Sequence, residues 1–577
     1  MMDRLDGAIP LSLLRKTVDS TRQPHVLLIG PYDPKGGEYT FLAPPLGVWR
    51  LAGVLQRSGI ATHVFDPNCC AASPETSLAA VLRQPWDVVG ISTTGMTLQY
   101  DLALAHLTRR LQPAARLIVG GMEATFQPEA VLRLGPFDLA VLGEGEEPLL
   151  AILARLRASS TLVGIPGTAW RGPDGAIQRA HGPALTREGL RNAISETPYE
   201  QMPYEQYWER LEASYRIGSL PVKADREARL SEIRSVRLIT LNYCPMGCTF
   251  CSSTNFLNAA QGSTVKISRL NVPECLTMIQ RIVRAQPRVR TIIFQDDIFV
   301  FRNDDRVLPL CEAIVAAKRV GEIPPDLQFI STNRIDAMTP ERLAALRRAG
   351  FRVLGFGVES FSVEILREFN KAQIHPRIAP VLEEALRLGI TPFLDMILTS
   401  PGCTLTDLAE NIRQAFAWIV AGCEVGMYPY VIPFSGSAMA RDAARLPTTV
   451  FERRHIAGTD LSWNQPTKIL PLDADTRGTI LRIEARFERE LLILQHSVSH
   501  LPSRVRSYLW ILSAVQEMDG PRHSLPSQQD VTQALRMLVP EFEPATDFGL
   551  SSTPQLLDGS NPAFRPQASA VAGLERP

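Results

Sequence analysis

The sequence predicts an α/β protein in three parts: an N-terminal doubly wound domain, a partial (β/α)6 barrel, and a C-terminal region that is mainly helical. Three observations predict it. Short apolar strand patterns alternate with amphipathic helical patterns in two separate series, a cysteine-rich turn follows the first strand of the second series, and the alternation stops near residue 440.

The first series occupies residues 24–160, with strand candidates "HVLLIG", "THVFD", "DVVGIST", "ARLIVGG" and "LAVLGEG". Helical patterns such as "LGVWRLAGVLQRSG" and "YDLALAHLTRRLQP" stand between them. Continuously apolar strands separated in this way belong to a parallel sheet covered on both faces. Residues 161–235 lose the rhythm and read as a connector, with a hairpin around "RGPDGAIQ" and an aromatic segment "TPYEQMPYEQYWERL". The second series, residues 236–440, offers "VRLITLN", "TIIFQDD", "LQFISTN", "VLGFGVES", "PFLDMILTS" and "VGMYPYVIP". Six such units predict a partial barrel whose chemistry lies at the strand ends and in the loops that follow them. Residues 441–540 read as helical and are expected to cap the barrel. Residues 1–23 read as an extension, and the Pro-, Ser- and Gly-rich stretch 541–577 as a disordered tail.

A chain of 577 residues with 45% hydrophobic content can fill several cores. Lys plus Arg equals Asp plus Glu at 60 each, so no net charge draws the chain to nucleic acid or an anionic membrane. There is no uncharged apolar run of about 18 residues, so no membrane span is expected. The N-terminus lacks a signal pattern, and a cytoplasmic location is expected. Nine cysteines are too few for a secreted disulfide scaffold, which favours reduced thiols with a metal role.

Three of those cysteines, Cys244, Cys248 and Cys251 in "CPMGCTFC", follow the first strand of the second series with C-x3-C-x2-C spacing. A structural zinc site usually takes four ligands in two close pairs, and Cys69, Cys70, Cys275, Cys311, Cys403 and Cys423 are scattered. A redox C-x-x-C would leave Cys244 idle, and an inert trio is the blandest reading. Three thiolates suit a [4Fe–4S] cluster with one iron left open to a ligand. Pro245 and Gly247 suit a loop that wraps closely.

With these residues the chain resembles the radical S-adenosylmethionine superfamily. That resemblance implies a TIM-like barrel in which the open iron chelates the amino and carboxylate groups of S-adenosylmethionine, and reductive cleavage yields a 5′-deoxyadenosyl radical. It implies iron–sulfur ligation and catalysis by Cys244, Cys248 and Cys251, with Phe250 near the adenine. By the same resemblance Asp296 stands where family members bind the methionine amino group, although "FQDDIF" departs from their Gly-Gly-Glu pattern. Ser331, Asn333 and Arg334 in "STNRID" would lie near the cofactor, and Glu359 in "GFGVES" at its ribose or methionine end. An external electron donor such as flavodoxin or ferredoxin is implied as well.

The strand ends of the first series carry "DPNCC", "STTGMT", "GGMEAT" and "GEGE", whose small residues, hydroxyls and backbone amides can approach a large flat ligand. No G-x-G-x-x-G follows the first strand, which disfavours a dinucleotide. The arrangement resembles the Rossmann-like cobalamin-binding domain fused to many radical S-adenosylmethionine enzymes. The resemblance implies cobalamin contacts from Asn68, Ser92, Thr93, Thr94, Gly95, Gly120, Gly121, Glu144 and Gly145. No D-x-H-x-x-G motif offers a histidine to cobalt. His63 reads as structural, and Cys69 and Cys70 read as packing residues.

The expected activity is methylation of an unactivated carbon of a small molecule, with methylcobalamin as the methyl carrier. Three alternatives stay open: a cyclase or ring-rearranging enzyme with the same cofactors, a methylase that forms no adenosyl radical, and a non-enzymatic cobalamin sensor.

Overall fold

A computed structural model describes residues 23–542 except 38–40, 71, 216–222, 372, 374, 498–502, 519–522 and 540–541. The expected extension and tail lie outside the described residues but for residues 23 and 542.

Two sheets carry the molecule. The first has seven strands in the order β2-β1-β3-β4-β5-β6-β7. Its strands are β1 (Val26–Ile29), β2 (Thr62–Phe65), β3 (Val88–Thr93), β4 (Arg116–Gly121), β5 (Leu139–Val141), β6 (Thr168–Arg171) and β7 (Ile177–Ala180). The first five are parallel. Alternate residues of β1 enter different cores, Leu27 and Ile29 on one face and Val26 and Leu28 on the other, which is why the strand is apolar throughout. The strand order reverses beside β1, where an open parallel sheet leaves a crevice at its C-terminal edge. The hairpin read around "RGPDGAIQ" is β6–β7. It extends this sheet antiparallel to β5 and so belongs to the first domain rather than to a separate connector.

The second sheet has six strands in the order β13-β12-β11-β10-β9-β8, all parallel. They are β8 (Ser235–Leu238), β9 (Thr291–Phe294), β10 (Gln328–Asn333), β11 (Phe351–Glu359), β12 (Thr391–Ile397) and β13 (Glu424–Tyr428). These are the six expected strands. A partial barrel exposes two edge strands, and each is covered. On β8, the Tyr204 hydroxyl accepts the Arg237 N–H at 3.2 Å and the Tyr199 hydroxyl donates to the Arg237 carbonyl at 3.1 Å. Trp208 Nε1 reaches the Ser235 carbonyl at 3.3 Å. The aromatic segment of the connector is therefore an edge cover. On β13, Ser507 Oγ donates to the Val425 carbonyl at 2.6 Å from the helix Ser503–Glu517.

The C-terminal helices cover the β13 edge through Ser507, and Glu484 of the helix Ala474–Ser497 accepts the hydroxyl of Tyr430, in the loop after β13, at 2.6 Å. One expectation for the region is corrected here: it opens on an antiparallel hairpin, β14 (Thr449–His455) and β15 (Ser462–Ile469). "TVFERRH" and "SWNQPTKI" alternate with period two around a turn at Gly458, whose φ is 76°. The hairpin is a strap. One end is tied to the barrel by Ile469 N–H to the Val431 carbonyl at 2.9 Å, and at the other Ile456, Leu461 and Trp463 join a core of the first domain.

Candidate functional site

The C-terminal edges of the two sheets face each other. Of three loops of the first sheet, one touches the strap and two touch the helix behind the cysteine loop. Gln465 of β15 donates to the Gly95 carbonyl, after β3, at 2.9 Å. The turn Met122–Phe126, after β4, places Phe126 edge-on to Phe256 of the helix Ser253–Gln261, centroids 6.1 Å apart. Gly143, after β5, lies so near Ala260 of the same helix that a Cβ there would stand 2.5 Å from the Ala260 Cβ. That helix begins directly after the cysteine loop.

The loop carrying Cys244, Cys248 and Cys251 is held by its backbone. Thr249 N–H bonds the Phe369 carbonyl at 3.0 Å and its hydroxyl bonds the Glu368 carbonyl at 2.9 Å. Asn370 Nδ2 donates to the Gly247 carbonyl at 2.7 Å, and Met439 N–H to the Thr249 carbonyl at 2.9 Å. Phe250 packs edge-on against Phe369, centroids 5.0 Å apart. All these ties use peptide groups, the Thr249 hydroxyl or the aromatic ring. The three cysteines remain half-buried thiols. Among the described residues no three His, Cys, Asp or Glu side chains converge to hold a single metal ion. Thiolates on separate irons of one cluster stand farther apart than the ligands of one ion.

Asp296 is a buried hub at the end of β8. Its carboxylate accepts the N–H groups of Thr240 at 2.6 Å and Leu241 at 3.1 Å and the Thr240 hydroxyl, and Arg306 donates to that hydroxyl at 2.9 Å. Burial pushes the carboxyl up to about 6 against the pull of Arg306 and these donors. The hub fixes the end of β8 from which the cysteine loop departs. Its neighbour Asp297 accepts from Ser253 at 3.2 Å, at the start of the helix behind the loop.

Ser331, Asn333, Arg334 and Glu359 lie at the same edge of the barrel, on the ends of β10 and β11. Asn333 Nδ2 bonds Ser331 Oγ at 3.0 Å, while Asn333 Oδ1 is buried without a partner. Arg334 makes a two-point pair with Asp336, at 2.9 and 3.0 Å. Glu359 has a left-handed φ of 63° and pairs with buried Lys371 at 2.9 Å. Such a conformation is costly for a residue other than glycine and is held by its surroundings. Sequence reasoning missed Lys371, which lies twelve residues away on a loop with no motif of its own.

On the facing edge, Gly121 has a φ of 93°, and a Cβ there would stand 2.4 Å from the Thr93 carbonyl oxygen. Only glycine fits that approach. Ser92, Thr94, Gly95, Gly120 and Gly145 line the edge with partial exposure. Thr93 turns inward to the Gly120 carbonyl at 3.0 Å. Asn68 spends both ends of its amide on Asp33 N–H and the Pro31 carbonyl, each at 2.9 Å. Thr93 and Asn68 thus brace the edge through these bonds. Glu144 accepts the Leu185 N–H at 2.7 Å, and burial raises it to about 7 although Arg50 pulls it down. Burial likewise pushes the Cys69 thiol up to about 12 beside Tyr207, which agrees with a packing role. His63 is exposed on β2 and stacks on Trp86.

Residues 35–153 match the B12 binding domain family, and residues 238–415 match the radical SAM superfamily. The chain is a cobalamin-dependent radical SAM protein. Among its curated relatives, an uncharacterized methyltransferase of Pyrococcus horikoshii is 23% identical over 378 residues, covering 64% of this chain and 73% of the relative. The cytidylyl-2-hydroxyethylphosphonate methyltransferase of Streptomyces wedmorensis is 25% identical over 447 residues, covering 70% and 78%. Among solved structures, the radical S-adenosylmethionine methyltransferase TsrM from Kitasatospora setae, with cobalamin and a [4Fe-4S] cluster bound, aligns at TM-score 0.56 and 16% identity over 78% of this chain and 79% of that one. The cobalamin-dependent radical enzyme OxsB, with aqua-cobalamin and S-adenosylmethionine bound, aligns at 0.58 and 16% over 90% and 79%. At such identity these likenesses establish the shared fold.

The residues of this radical SAM protein fit both groups. Three thiols stand on a loop tied through its peptide groups at Gly247 and Thr249, the buried Asn333 Oδ1 lacks a donor, and the edge at Gly120 and Gly121 carries only small side chains beside a flat ligand. Among the described residues no helix is long and apolar enough to cross a membrane.

Proposed function

We propose that the chain methylates an unactivated carbon of a small-molecule substrate, using a [4Fe–4S] cluster, S-adenosylmethionine and cobalamin. The observation that carries this reading is the apposition of the two strand edges. The cysteine loop and the glycine-lined edge are joined through one helix, Ser253–Gln261, so both cofactors would address a single space. When bound, the cluster supplies the electron that opens S-adenosylmethionine to an adenosyl radical, and cobalamin supplies the methyl group.

The chain's own residues position and enclose. Cys244, Cys248 and Cys251 would hold the cluster, and the Asp296–Thr240–Arg306 hub fixes where their loop begins. Asn333 Oδ1 awaits a donor such as an ammonium or hydroxyl of S-adenosylmethionine. Arg334 and the Glu359–Lys371 pair present charge at the same edge. Ser92, Thr94, Gly95, Gly120, Gly121 and Gly145 would receive the corrin periphery, and the β14–β15 strap, tied to Gly95, would help to exclude water. Flavodoxin or ferredoxin would serve as the electron source in a cytoplasmic setting.

The test is isotopic. Anaerobically reconstituted protein given methyl-labelled S-adenosylmethionine is expected to place label on bound cobalamin, and on the product once a substrate is found, with 5′-deoxyadenosine released. An unlabelled rearranged product would overturn methyl transfer in favour of cyclisation, and labelled product without 5′-deoxyadenosine would remove the radical step. Protein that holds cobalamin but no iron or sulfide would point to a sensor.

A further inference from the structure

The two facing edges are joined by a buried carboxyl that neither cofactor assignment uses. Glu123 lies in the turn after β4 and is 7% exposed. Its Oε1 accepts the Ser435 hydroxyl at 3.0 Å, from the loop after β13, 312 residues away in sequence. On its other side a Cβ added to Gly95 would stand 3.1 Å from Oε2. The surroundings are close-packed: Phe126 fills the space over Gly436, where a Cβ would stand 2.2 Å from the ring, and Asn255 Nδ2 holds the Gly436 carbonyl at 2.7 Å.

We infer that Glu123 is a positioning residue, a latch whose hydrogen bond with Ser435 sets the cobalamin-side loops against the barrel mouth. Its consequence for catalysis rests on the function proposed above. The docking itself does not.

Among the described residues no ion pair engages the latch carboxyl. The turn Ser92–Thr97, the segment Val431–Ser437 and the helix Ser253–Gln261 carry no ionisable side chain, and β15 presents the neutral Gln465. The charges that border these elements are engaged elsewhere: Arg441 with the Gly436 carbonyl at 3.3 Å, Asp101 with the Thr97 hydroxyl and the Tyr32 N–H, Glu129 with Arg179, Glu452 with Arg454, and Glu144 with the Leu185 N–H. Burial therefore acts on Glu123 opposed only by the Ser435 hydroxyl, and raises it from 4.5 to about 7. A carboxyl raised in the docked state binds its proton more tightly there than when the junction opens. Docking strength is full below the ordinary carboxylate range and is lost as pH rises through about 7.

Hydrogen–deuterium exchange of the full chain without added cobalamin reads the junction directly. After correction for intrinsic exchange, peptides covering 92–97, 120–126 and 433–437 in the wild type are expected to lose about tenfold of their protection between about pH 6 and about pH 8.5. Glu123→Gln keeps a neutral acceptor for Ser435 and should hold the low-pH protection at both values, whereas Glu123→Ala should lose it at both. A wild type as flat with pH as Glu123→Gln, or a Glu123→Gln protein as open as Glu123→Ala, overturns the latch. Should the Glu123 variants misfold, Ser435→Ala removes only the donor. It should raise exchange in 120–126 across the junction, and unchanged exchange there overturns the proposal. Because no cofactor enters the measurement, failure to bind cobalamin would sink the function proposed above without touching this result.

Discussion

The two sheets end in opposite ways. The barrel edge is furnished with side chains: three thiols, a carboxylate hub at Asp296, a buried amide at Asn333 and an ion pair between Glu359 and Lys371. The edge of the first sheet is furnished with backbone, where Gly95, Gly120, Gly121, Gly143 and Gly145 leave room and hydroxyls turn inward. A small ligand with charged groups is gripped by directed side chains. A large flat ligand is received by a surface from which side chains have been withdrawn. The barrel edge should therefore fail by losing a functional atom, and the other edge by gaining an unwanted one.

The largest expected effect tests the first half of that contrast. Alanine at Cys244, Cys248 or Cys251 should reduce iron and sulfide after anaerobic reconstitution toward background and abolish 5′-deoxyadenosine formation. Hydroxocobalamin affinity should stay within about twofold of wild type, because no thiol of the trio helps to shape the glycine edge. Joint loss of both cofactors would mean that the edges are one cooperative site.

The second half is tested by adding a methyl group. Gly121→Ala brings a Cβ to 2.4 Å from the Thr93 carbonyl at a φ of 93°, so the turn must shift. A cost of about 2–3 kcal/mol is expected. Thermal unfolding should report it, together with a more than tenfold loss of hydroxocobalamin affinity and unchanged iron content.

The same contrast explains what the sequence could reveal. Apolar runs gave away all eleven parallel strands, because all but the edge strands are largely buried on both faces, and the cysteine spacing is local, so it reads directly. The partners of those motifs are not local. Lys371 and Ser435 meet Glu359 and Glu123 only after folding, and nothing in "EFNKAQ" or "PFSGS" announces it. The donors to Asp296, Thr240 and Leu241, likewise arrive from another strand end. The β14–β15 strap alternates with period two and was hidden because its inner face is polar, with Glu452, Gln465 and Thr467 where a core strand would carry aliphatics.

The smallest effects compare two single hydrogen bonds of the same kind, each from a polar side chain to a backbone carbonyl. Ser507 Oγ meets the Val425 carbonyl at 2.6 Å on the covered edge of the barrel, and Gln465 Nε2 meets the Gly95 carbonyl at 2.9 Å between the two sheets. Removal of either should cost about 1 kcal/mol. For Ser507→Ala that loss falls on the barrel alone, so the melting temperature should drop by roughly 2 °C with cobalamin and cluster loading unchanged. For Gln465→Ala it falls on the strap that holds the Gly95 loop. The same energy should appear as about a fivefold weaker hydroxocobalamin affinity, with little change in melting. If both variants shift melting alike and leave affinity alone, the strap is only a roof. If only Gln465→Ala weakens cobalamin, the strap is part of the glycine edge itself.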